Sequence, residues 1–206
     1  MCGGRSRRMG HDKAALEIGG RTLLERALAV LRPACDELLL ATGSVPRYAE
    51  SGVPIVLDRA EGLGPLAGLE AALAAARYER VLVIAVDMPA VEPALLLLLV
   101  ERAEREDCDA LLLGSALGVE PLCGVYHTRL LPAVRAALDA RELRMTALFT
   151  HPMTDGRLPR IDTFDAASAG HAAATQNVNT SAEFDRARTL LASAGELAAP
   201  AHGGHP

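Results

Sequence analysis

The feature that most constrains the fold of this chain is a run of β-branched and aliphatic residues, 81–86, that ends directly at Asp87. A continuous apolar run of this length is typical of a strand that is buried on both faces of a sheet. Shorter apolar runs occur before and after it, and segments with apolar residues at helical spacing separate them. Because strands alternate with helices, the sequence predicts an α/β fold with a mainly parallel sheet.

Local signals place the elements along the chain. Thr22 and Glu25 form a capping box, in which each side chain accepts a hydrogen bond from the other residue's backbone N–H, so a helix should begin there. Thr180 and Glu183 repeat the pattern and predict a last helix to about Ala194. We expect strands within residues 37–42, 53–57, 81–86, 110–113 and 159–161, a loop at 120–126 that leads into a further strand, and further helices over 65–77, 93–107, 129–141 and 145–150.

The size of the chain fits a single domain. We place this domain at residues 1–194 of the 206, followed by a small, polar tail, 195–206, that we expect to be disordered. Half of the residues are apolar but only 3% are aromatic, so alanine, leucine and valine must fill the core. The net charge of −5 argues against a general nucleic-acid binder, which usually has a basic domain.

Cysteine spacing and hydropathy bear on the compartment. The four cysteines are far apart and form no C-x-x-C pair, which argues against a metal or disulfide framework and favours reduced thiols. No apolar run approaches the roughly 20 residues of a membrane span, and no signal peptide is visible. We therefore expect a cytoplasmic protein.

Residues 2–13 combine glycine with positive charge. Three glycines and four cations fall within this segment. Glycine lets backbone N–H groups approach a ligand closely, and successive N–H groups form a concave anion site. Arginine adds a planar fork of donors that matches phosphate, and lysine adds a compact charge. The segment therefore predicts a loop that holds a polyphosphate, and the alternative is a disordered basic amino terminus.

The same segment resembles the signature loop of the molybdenum cofactor guanylyltransferases, the MobA-type members of the nucleotidyltransferase superfamily. Their pattern, L-A-G-G-x-S-x-R-M-G-x-D-K, differs from the P-loop and from G-x-G-x-x-G. The resemblance covers roughly residues 3–190 and implies a Rossmann-like, three-layer nucleotidyltransferase fold. The residues in register are Gly3, Gly4, Ser6, Arg8, Met9, Gly10, Asp12 and Lys13.

The first two residues depart from this pattern. Met1 and Cys2 stand where the family has Leu-Ala, so the apolar strand that feeds the glycine loop in the family has no counterpart in this sequence. We expect the true start to lie upstream of Met1, because the residues after position 3 keep the pattern of a working enzyme. Losing a central strand would expose two strand edges, so the chain is expected to be poorly stable.

Two aspartates follow predicted strands. Ligands of open α/β sheets bind beyond the carboxyl ends of the strands, where Asp58 and Asp87 should meet the glycine loop. Mg²⁺ takes one or two carboxylates and completes its shell with phosphate oxygens and water, which makes Asp87 the candidate metal ligand. The alternative is that each aspartate only caps the next turn. Residues 86–89 also resemble the metal-binding D-x-P turn of the family, and residues 64–69 its G-P-L-x-G-L loop.

The resemblance implies a role for each residue of the site. Asn177 and Asn179, in the N-V-N-T segment, line the side of the second substrate, and on an extended segment both side chains face one way. Arg8, Lys13 and Asp87 carry catalysis, with Asp87 as the metal ligand. The residues that bind GTP are Met1, Cys2, Gly3, Lys13, Asp58 and Asp87.

The resemblance also implies a reaction. It is the transfer of GMP from GTP to molybdopterin, with Mg²⁺ as cofactor, and molybdoenzymes and other proteins of molybdenum cofactor biosynthesis are expected partners. The asparagine pair and the Gly-Gly of the first loop favour GTP over CTP. The alternatives are a nucleotidyltransferase specific for CTP or for a sugar phosphate, and a non-catalytic nucleotide-binding protein inactivated by the lost strand.

Overall fold

The structure, a computed structural model, describes residues 1–2, 12–115 and 118–198. The helices are α1 (Leu23–Leu31), α2 (Pro65–Ala75), α3 (Pro93–Arg105), α4 (Leu131–Asp139) and α5 (Ser181–Ala198). The strands are β1 (Glu17–Ile18), β2 (Arg21–Thr22), β3 (Leu40–Ala41), β4 (Ile55–Val56), β5 (Arg80–Ile84), β6 (Ala110–Ser115), β7 (Gly118–His127) and β8 (Ile161–Asp165). Short 3₁₀ helices occupy Lys13–Ala15, Arg32–Ala34, Ala49–Ser51, Thr128–Leu130, Met145–Thr150 and Ala172–Thr175.

The expected helix starts are confirmed at both capping boxes. The Thr22 hydroxyl accepts a hydrogen bond from the Glu25 N–H, and the Glu25 carboxylate accepts one from the Thr22 N–H. The Thr180 hydroxyl accepts from the Glu183 N–H, whereas the Glu183 carboxylate accepts from the Asn179 N–H and from the Thr180 hydroxyl. Helix α5 continues to Ala198, so the first residues of the expected tail are helical. Residues 199–206 lie outside the described residues, and the domain boundary at 194 stays a prediction.

The sheet is mixed rather than purely parallel, and the expectation of a mainly parallel sheet is confirmed, because of its four main strands only β7 runs against the others. Its four main strands are ordered β5-β7-β6-β8, with β7 antiparallel to both β5 and β6, and with β6 parallel to β8. Strands β3 and β4 form a further parallel pair. Strand β7 runs antiparallel to β6 because only two residues separate them, whereas a parallel crossover needs a dozen or more. The α/β class itself is confirmed.

Met1 and Cys2 lie between β3 and β5. The Met1 amino group donates to the Ile84 carbonyl at 2.7 Å, and the Met1 carbonyl accepts from the Val86 N–H at 3.2 Å. On the other side, the Cys2 N–H donates to the Ala41 carbonyl at 2.8 Å. These two residues therefore tie the β3-β4 pair to the main sheet.

Helices cover both faces of the sheet and bury its side chains in separate layers. Along β6, Ala110 and Leu112 pack in the layer of α2 and α4, and Leu111 and Leu113 pack in the layer of α3. Successive side chains of a strand point to opposite faces, so this alternation produces the three layers. A third apolar cluster gathers α1, the amino-terminal residues and Val178. Among the described residues, no helix combines the length and the apolar character that a membrane crossing requires.

Candidate active site

Three chain segments that are far apart in sequence meet at the Lys13 ammonium. Its Nζ atom donates to Asp87 Oδ2 at 2.9 Å and to Asn179 Oδ1 at 2.7 Å. The side chains of Lys13 and Asp87 are about one-fifth exposed, at 20% and 21%, so the pair is partly shielded but open to a ligand. A cation, a carboxylate and an amide from three elements thus form one cluster at the surface.

Backbone contacts explain why these groups meet. Asp87 follows β5 at its carboxyl end, the edge where α/β sheets bind ligands. The Val178 N–H donates to the Asp87 carbonyl at 2.8 Å and holds the extended segment 176–180 against this edge. Val178 is buried while Asn179 is exposed, as expected for successive residues of an extended segment.

Asp12 fixes the backbone directly before Lys13. Its side chain accepts from the Ala14 N–H at 3.2 Å and caps the 3₁₀ turn that Lys13 begins. The same carboxylate accepts from Arg47 Nη1 at 3.1 Å and from the Tyr48 hydroxyl. Burial, and then the hydrogen bond to Asp12, raise the pKa of Tyr48, so the phenol stays a donor. The backbone at Lys13 is therefore held in place.

Arg47 makes a second contact near the amino terminus. Its Nη2 atom donates to the Cys2 carbonyl at 2.9 Å, while Nη1 pairs with Asp12. The Cys2 thiol is buried, and this burial raises its pKa, so it stays protonated. The Arg47 guanidinium therefore contacts both residue 2 and residue 12, which lie near the two ends of the predicted phosphate loop.

Asn177 makes a contact that the sequence did not indicate. Its Nδ2 atom donates to Glu120 Oε2 at 2.8 Å, and its buried Oδ1 atom finds no donor among the described residues. Strand β7 places Glu120 there through a bulge, since Leu112 pairs with Gly124 whereas Leu113 pairs with Glu120. The two asparagines thus have separate partners, Glu120 for Asn177 and Lys13 for Asn179.

Asp58 lies beside Met1 and the start of α2. A Cβ placed on Gly68 would lie 2.5 Å from Met1 Cε and 3.7 Å from Asp58 Oδ1, so the missing side chain lets these groups approach. The Oδ1 atom is buried and finds no hydrogen-bond donor among the described residues. Burial, and to a lesser extent the charge of Glu70, raise the pKa of Asp58. A buried carboxylate oxygen is therefore ready to accept from a ligand.

The structure brings together many of the predicted site residues. Lys13, Asp87 and Asn179 are in contact, and Asn177 lies next to them along the chain. Arg8 and Gly3 lie outside the described residues, so their predicted roles stay predictions. Met1, Cys2 and Asp58 occupy the neighbouring part of the sheet edge, and their predicted contacts with GTP also stay predictions.

The donor set at Asp87 suits a metal that arrives with its substrate. Among the described residues, no three or more histidine, cysteine, aspartate or glutamate side chains gather at one point. Mg²⁺ rarely uses an all-protein cage and takes one or two carboxylates with phosphate oxygens and water. The partly exposed Asp87 carboxylate therefore fits the ion as a single protein ligand.

Sequence reasoning missed three residues of this cluster. Arg47 and Tyr48 lie about 35 positions from Asp12 and match no local pattern, so only the folded chain reveals them. Glu120 could have been noticed, because a charged residue stands directly before the predicted β7 core and next to Pro121.

Comparisons with known proteins indicate the family of the chain. The family described as "MobA-like NTP transferase domain" matches residues 1–152. The molybdenum cofactor guanylyltransferase of Pseudomonas fluorescens is 34% identical over 174 residues, which cover 79% of this chain and 87% of that protein.

Two solved structures share the fold. Molybdopterin-guanine dinucleotide biosynthesis protein A from Archaeoglobus fulgidus superposes with a TM-score of 0.77 at 23% identity, over 93% of this chain and 96% of that one. The 2-C-methyl-D-erythritol 4-phosphate cytidylyltransferase of Thermus thermophilus superposes with a TM-score of 0.62 at 23% identity, over 87% and 94%. By the sequence matches, the chain belongs to the family of MobA-like NTP transferase domains.

Proposed function

We propose that this chain transfers GMP from GTP to molybdopterin and releases pyrophosphate. The observation that carries the proposal is the contact of Lys13 with both Asp87 and Asn179, which joins the predicted nucleotide side to the predicted second-substrate side. The preference for GTP and for molybdopterin rests on the family and on the name of the Pseudomonas fluorescens relative.

The reaction is an in-line displacement at the α-phosphorus of GTP. An oxygen of the terminal phosphate of molybdopterin forms the new bond to this phosphorus, and the bond to the β-phosphate oxygen breaks, which releases pyrophosphate. The attacking phosphate is already an anion at neutral pH, so the site needs no strong general base. Positioning and charge stabilisation supply most of the rate in such transfers.

Lys13 is suited to hold the triphosphate. An ammonium has three N–H donors, and two of them go to Asp87 and Asn179. The third has no acceptor among the described residues and can donate to a phosphate oxygen, and the two protein contacts fix its direction. Arg8 supplies a second cation in this proposal, on the evidence of the family pattern alone.

Asp87 would hold Mg²⁺ at this site. The bound ion would offset the negative charge that develops on the phosphate oxygens. The Asp87 backbone is fixed independently of its side chain, because its carbonyl accepts from the Val178 N–H. The carboxylate is therefore held at the sheet edge whichever ligand it binds.

Asp58 is suited to recognise the base. Guanine presents two adjacent donors, N1–H and the 2-amino group, and a carboxylate can accept from both. The buried Oδ1 atom of Asp58 gains a donor in this way, which offsets the cost of its burial. Cytosine offers a single amino donor on the corresponding edge, so the pairing favours GTP.

The test replaces Asp87 by alanine. We expect Asp87→Ala to lower kcat at least about 10³-fold in a molybdopterin assay that follows pyrophosphate release, because the metal ligand is lost. Its melting temperature should stay close to that of the parent, since the backbone bond to Val178 remains. Asp139→Ala, which removes an exposed partner of Arg59, is the matched control and should keep full activity. An active Asp87→Ala variant would refute the assignment.

A nucleotide panel separates the proposed reaction from its nearest alternative. The cytidylyltransferase fold neighbour makes CTP the competitor to include beside GTP and ATP. Turnover with CTP and not with GTP would transfer the proposal to a cytidylyltransferase, and binding of nucleotides without turnover would favour a non-catalytic protein. Molybdoenzymes and other biosynthetic proteins as partners, and a cytoplasmic location, stay predictions.

A further inference from the structure

The connection between β3 and β4 carries two hydrogen-bond donors that meet at Asp12. The Oδ2 atom of Asp12 accepts from Arg47 Nη1 at 3.1 Å and from the Tyr48 hydroxyl. Its other oxygen, Oδ1, accepts from the Ala14 N–H at 3.2 Å. Because both oxygens have donors, the carboxylate cannot rotate without losing a hydrogen bond. We call Asp12, Arg47 and Tyr48 the Asp12 clamp.

The backbone of Tyr48 is strained. Its φ and ψ angles are 63° and 36°, in the left-handed region that glycine and asparagine adopt more easily than a bulky residue does. Such strain persists where the surrounding structure fixes it, and it is concentrated at functional sites. A glycine at this position would relieve the strain but would lack the hydroxyl that reaches Asp12. The tyrosine therefore points to a role for this contact.

Arg47 joins the parts of the clamp to one another. Its Nη1 atom bonds to Asp12, and its Nη2 atom donates to the Cys2 carbonyl at 2.9 Å. Its Cζ atom lies 5.3 Å from the centroid of the Tyr48 ring, which is within the range of a cation–π contact. The guanidinium therefore orients the tyrosine as well as the aspartate.

The clamp reaches Lys13 through the backbone. The Ala15 N–H donates to the Asp12 carbonyl and the Leu16 N–H donates to the Lys13 carbonyl, both at 3.1 Å, so Asp12 begins a closed 3₁₀ turn. Holding Asp12 holds this turn, and the turn sets where the Lys13 side chain begins. The Nζ atom at its other end donates to Asp87. The clamp therefore lies one residue away from the cation of the site.

We propose that Arg47 and Tyr48 are positioning residues for the polyphosphate of the nucleotide. They hold Asp12, and Asp12 holds the turn that aims the Lys13 ammonium at a phosphate oxygen. Positioning supplies much of the rate of phosphoryl transfer, so a displaced ammonium weakens the reaction as well as binding. The inference rests on the proposed role of Lys13 in holding phosphate, and it does not depend on the base or on the second substrate.

The test is a double-mutant cycle on nucleotide binding. Tyr48→Phe removes the hydroxyl and keeps the ring that packs against the third apolar cluster. We expect it to weaken the calorimetric Kd for GTP with Mg²⁺ about tenfold, the size of a lost hydrogen bond to a charged group. In a Lys13→Ala background the same change should alter the Kd less than about twofold, because its effect passes through Lys13. The control is Tyr78→Phe, a half-exposed tyrosine before the amino end of β5, which should leave the Kd unchanged.

Asp12→Asn separates the clamp from the cap of the 3₁₀ turn. Asparagine keeps an oxygen that can accept from the Ala14 N–H, but its NH₂ group cannot accept from Arg47 or Tyr48. It should weaken the Kd to the same extent as Tyr48→Phe. The two changes together should weaken it no further, because either one opens the clamp.

Inorganic tripolyphosphate with Mg²⁺ distinguishes the clamp from the proposed reaction. If the parent binds tripolyphosphate but not GTP, the proposed preference for GTP fails, whereas a weaker Kd for tripolyphosphate in Tyr48→Phe still supports the clamp. An unchanged Kd in Tyr48→Phe for the ligands that the parent binds would overturn the inference. A loss of the same size in the Lys13→Ala background would overturn it too, since Arg47 and Tyr48 would then only fasten their own segment to the core. A parent that binds neither ligand would overturn both proposals.

Discussion

At Asp58, stability and the proposed function oppose each other. Its pKa is raised above the ordinary value of 3.8, first by burial and then by the charge of Glu70. A raised pKa in the folded state means that folding favours the protonated acid. The contribution of Asp58 to the free energy of unfolding therefore falls as the pH rises above 3.8, and it stays unfavourable at neutral pH.

We expect Asp58→Asn to be more stable than the parent at pH 7, because the amide removes the buried charge. The amide still leaves a polar atom at this place, so the gain is the relief of the buried charge alone, and 1 kcal/mol corresponds to roughly 2–4 °C in a chain of this size. The melting temperature should therefore rise by a few degrees, while the Kd for GTP weakens about tenfold. Thermal melting and calorimetric titration measure the two effects.

The pH dependence distinguishes this explanation from a general effect of the substitution. The difference in melting temperature between Asp58→Asn and the parent should disappear below pH 3.8, where the parent carboxyl is protonated in both states. A variant that is less stable than the parent at pH 7 would contradict the argument.

At the scale of elements, the bulge in β7 supports the segment that carries the asparagines. Glu120 reaches Asn177 because the bulge shifts the pairing of β7 with β6. The contact leaves Asn177 with a fixed orientation, so the loss of Glu120 should act on the second substrate and not on the nucleotide. Glu120 is a positioning residue in this proposal.

We expect Glu120→Ala to raise the KM for molybdopterin about tenfold, the size of one lost hydrogen bond to a charged group, with little change in the KM for GTP. Glu120→Gln keeps an oxygen that can accept from Asn177 Nδ2 and should restore most of the parental KM. Steady-state kinetics with each substrate varied in turn measure this. Equal loss for both substrates, or no recovery in Glu120→Gln, would indicate a merely structural role.

Elements could be predicted where the signal is local. The strand at 81–86 and the helix starts at Thr22 and Thr180 follow from residues within the elements themselves. The structure confirms this strand and both helix starts. The direction of β7 could not be predicted from its own residues. An apolar strand has a similar composition whether its neighbours run parallel or antiparallel to it. The short connection between β6 and β7 was the signal that decides it.

The site was predictable in part for the same reason. The rule that ligands bind at carboxyl ends of strands brings Asp87 and Lys13 to one edge, and the structure places them in contact. No such rule links Asp12 to Arg47 and Tyr48, because that contact depends on how a long connection folds back.

At the scale of the whole molecule, the two ends of the sheet differ in their chemistry. Asp87 follows β5 at its carboxyl end, whereas Asp109 precedes β6, which runs in the same direction as β5 because both are antiparallel to β7. Asp109 therefore lies at the end of the sheet opposite to the site. It is fully buried, and it accepts hydrogen bonds from Arg157 at 2.6 and 3.0 Å, from the Arg160 N–H at 2.6 Å, and from Arg129.

This network should stabilise the fold without serving the reaction. Burial by itself would raise the pKa of Asp109, but the hydrogen bonds from Arg157, Arg160 and Arg129 outweigh it and lower the pKa to about 2. A lowered pKa in the folded state stabilises the protein above the ordinary value of 3.8, and this stabilisation is lost as the pH falls from 3.8 through about 2.

We expect Asp109→Ala to lower the free energy of unfolding by about 3–5 kcal/mol, which is typical when one partner of a buried ion pair is removed. The melting temperature should fall by roughly 6–20 °C at pH 7, and by less as the pH approaches 2. Asp155→Ala, which removes an exposed partner of the same Arg157, is the control and should cost less than about 1 kcal/mol.

At 20 °C, where Asp109→Ala is still folded, its kcat should stay within about twofold of the parent, because the network lies at the opposite end of the sheet from Lys13 and Asp87. A large loss of kcat in a folded Asp109→Ala protein would mean that the two ends of the sheet are coupled.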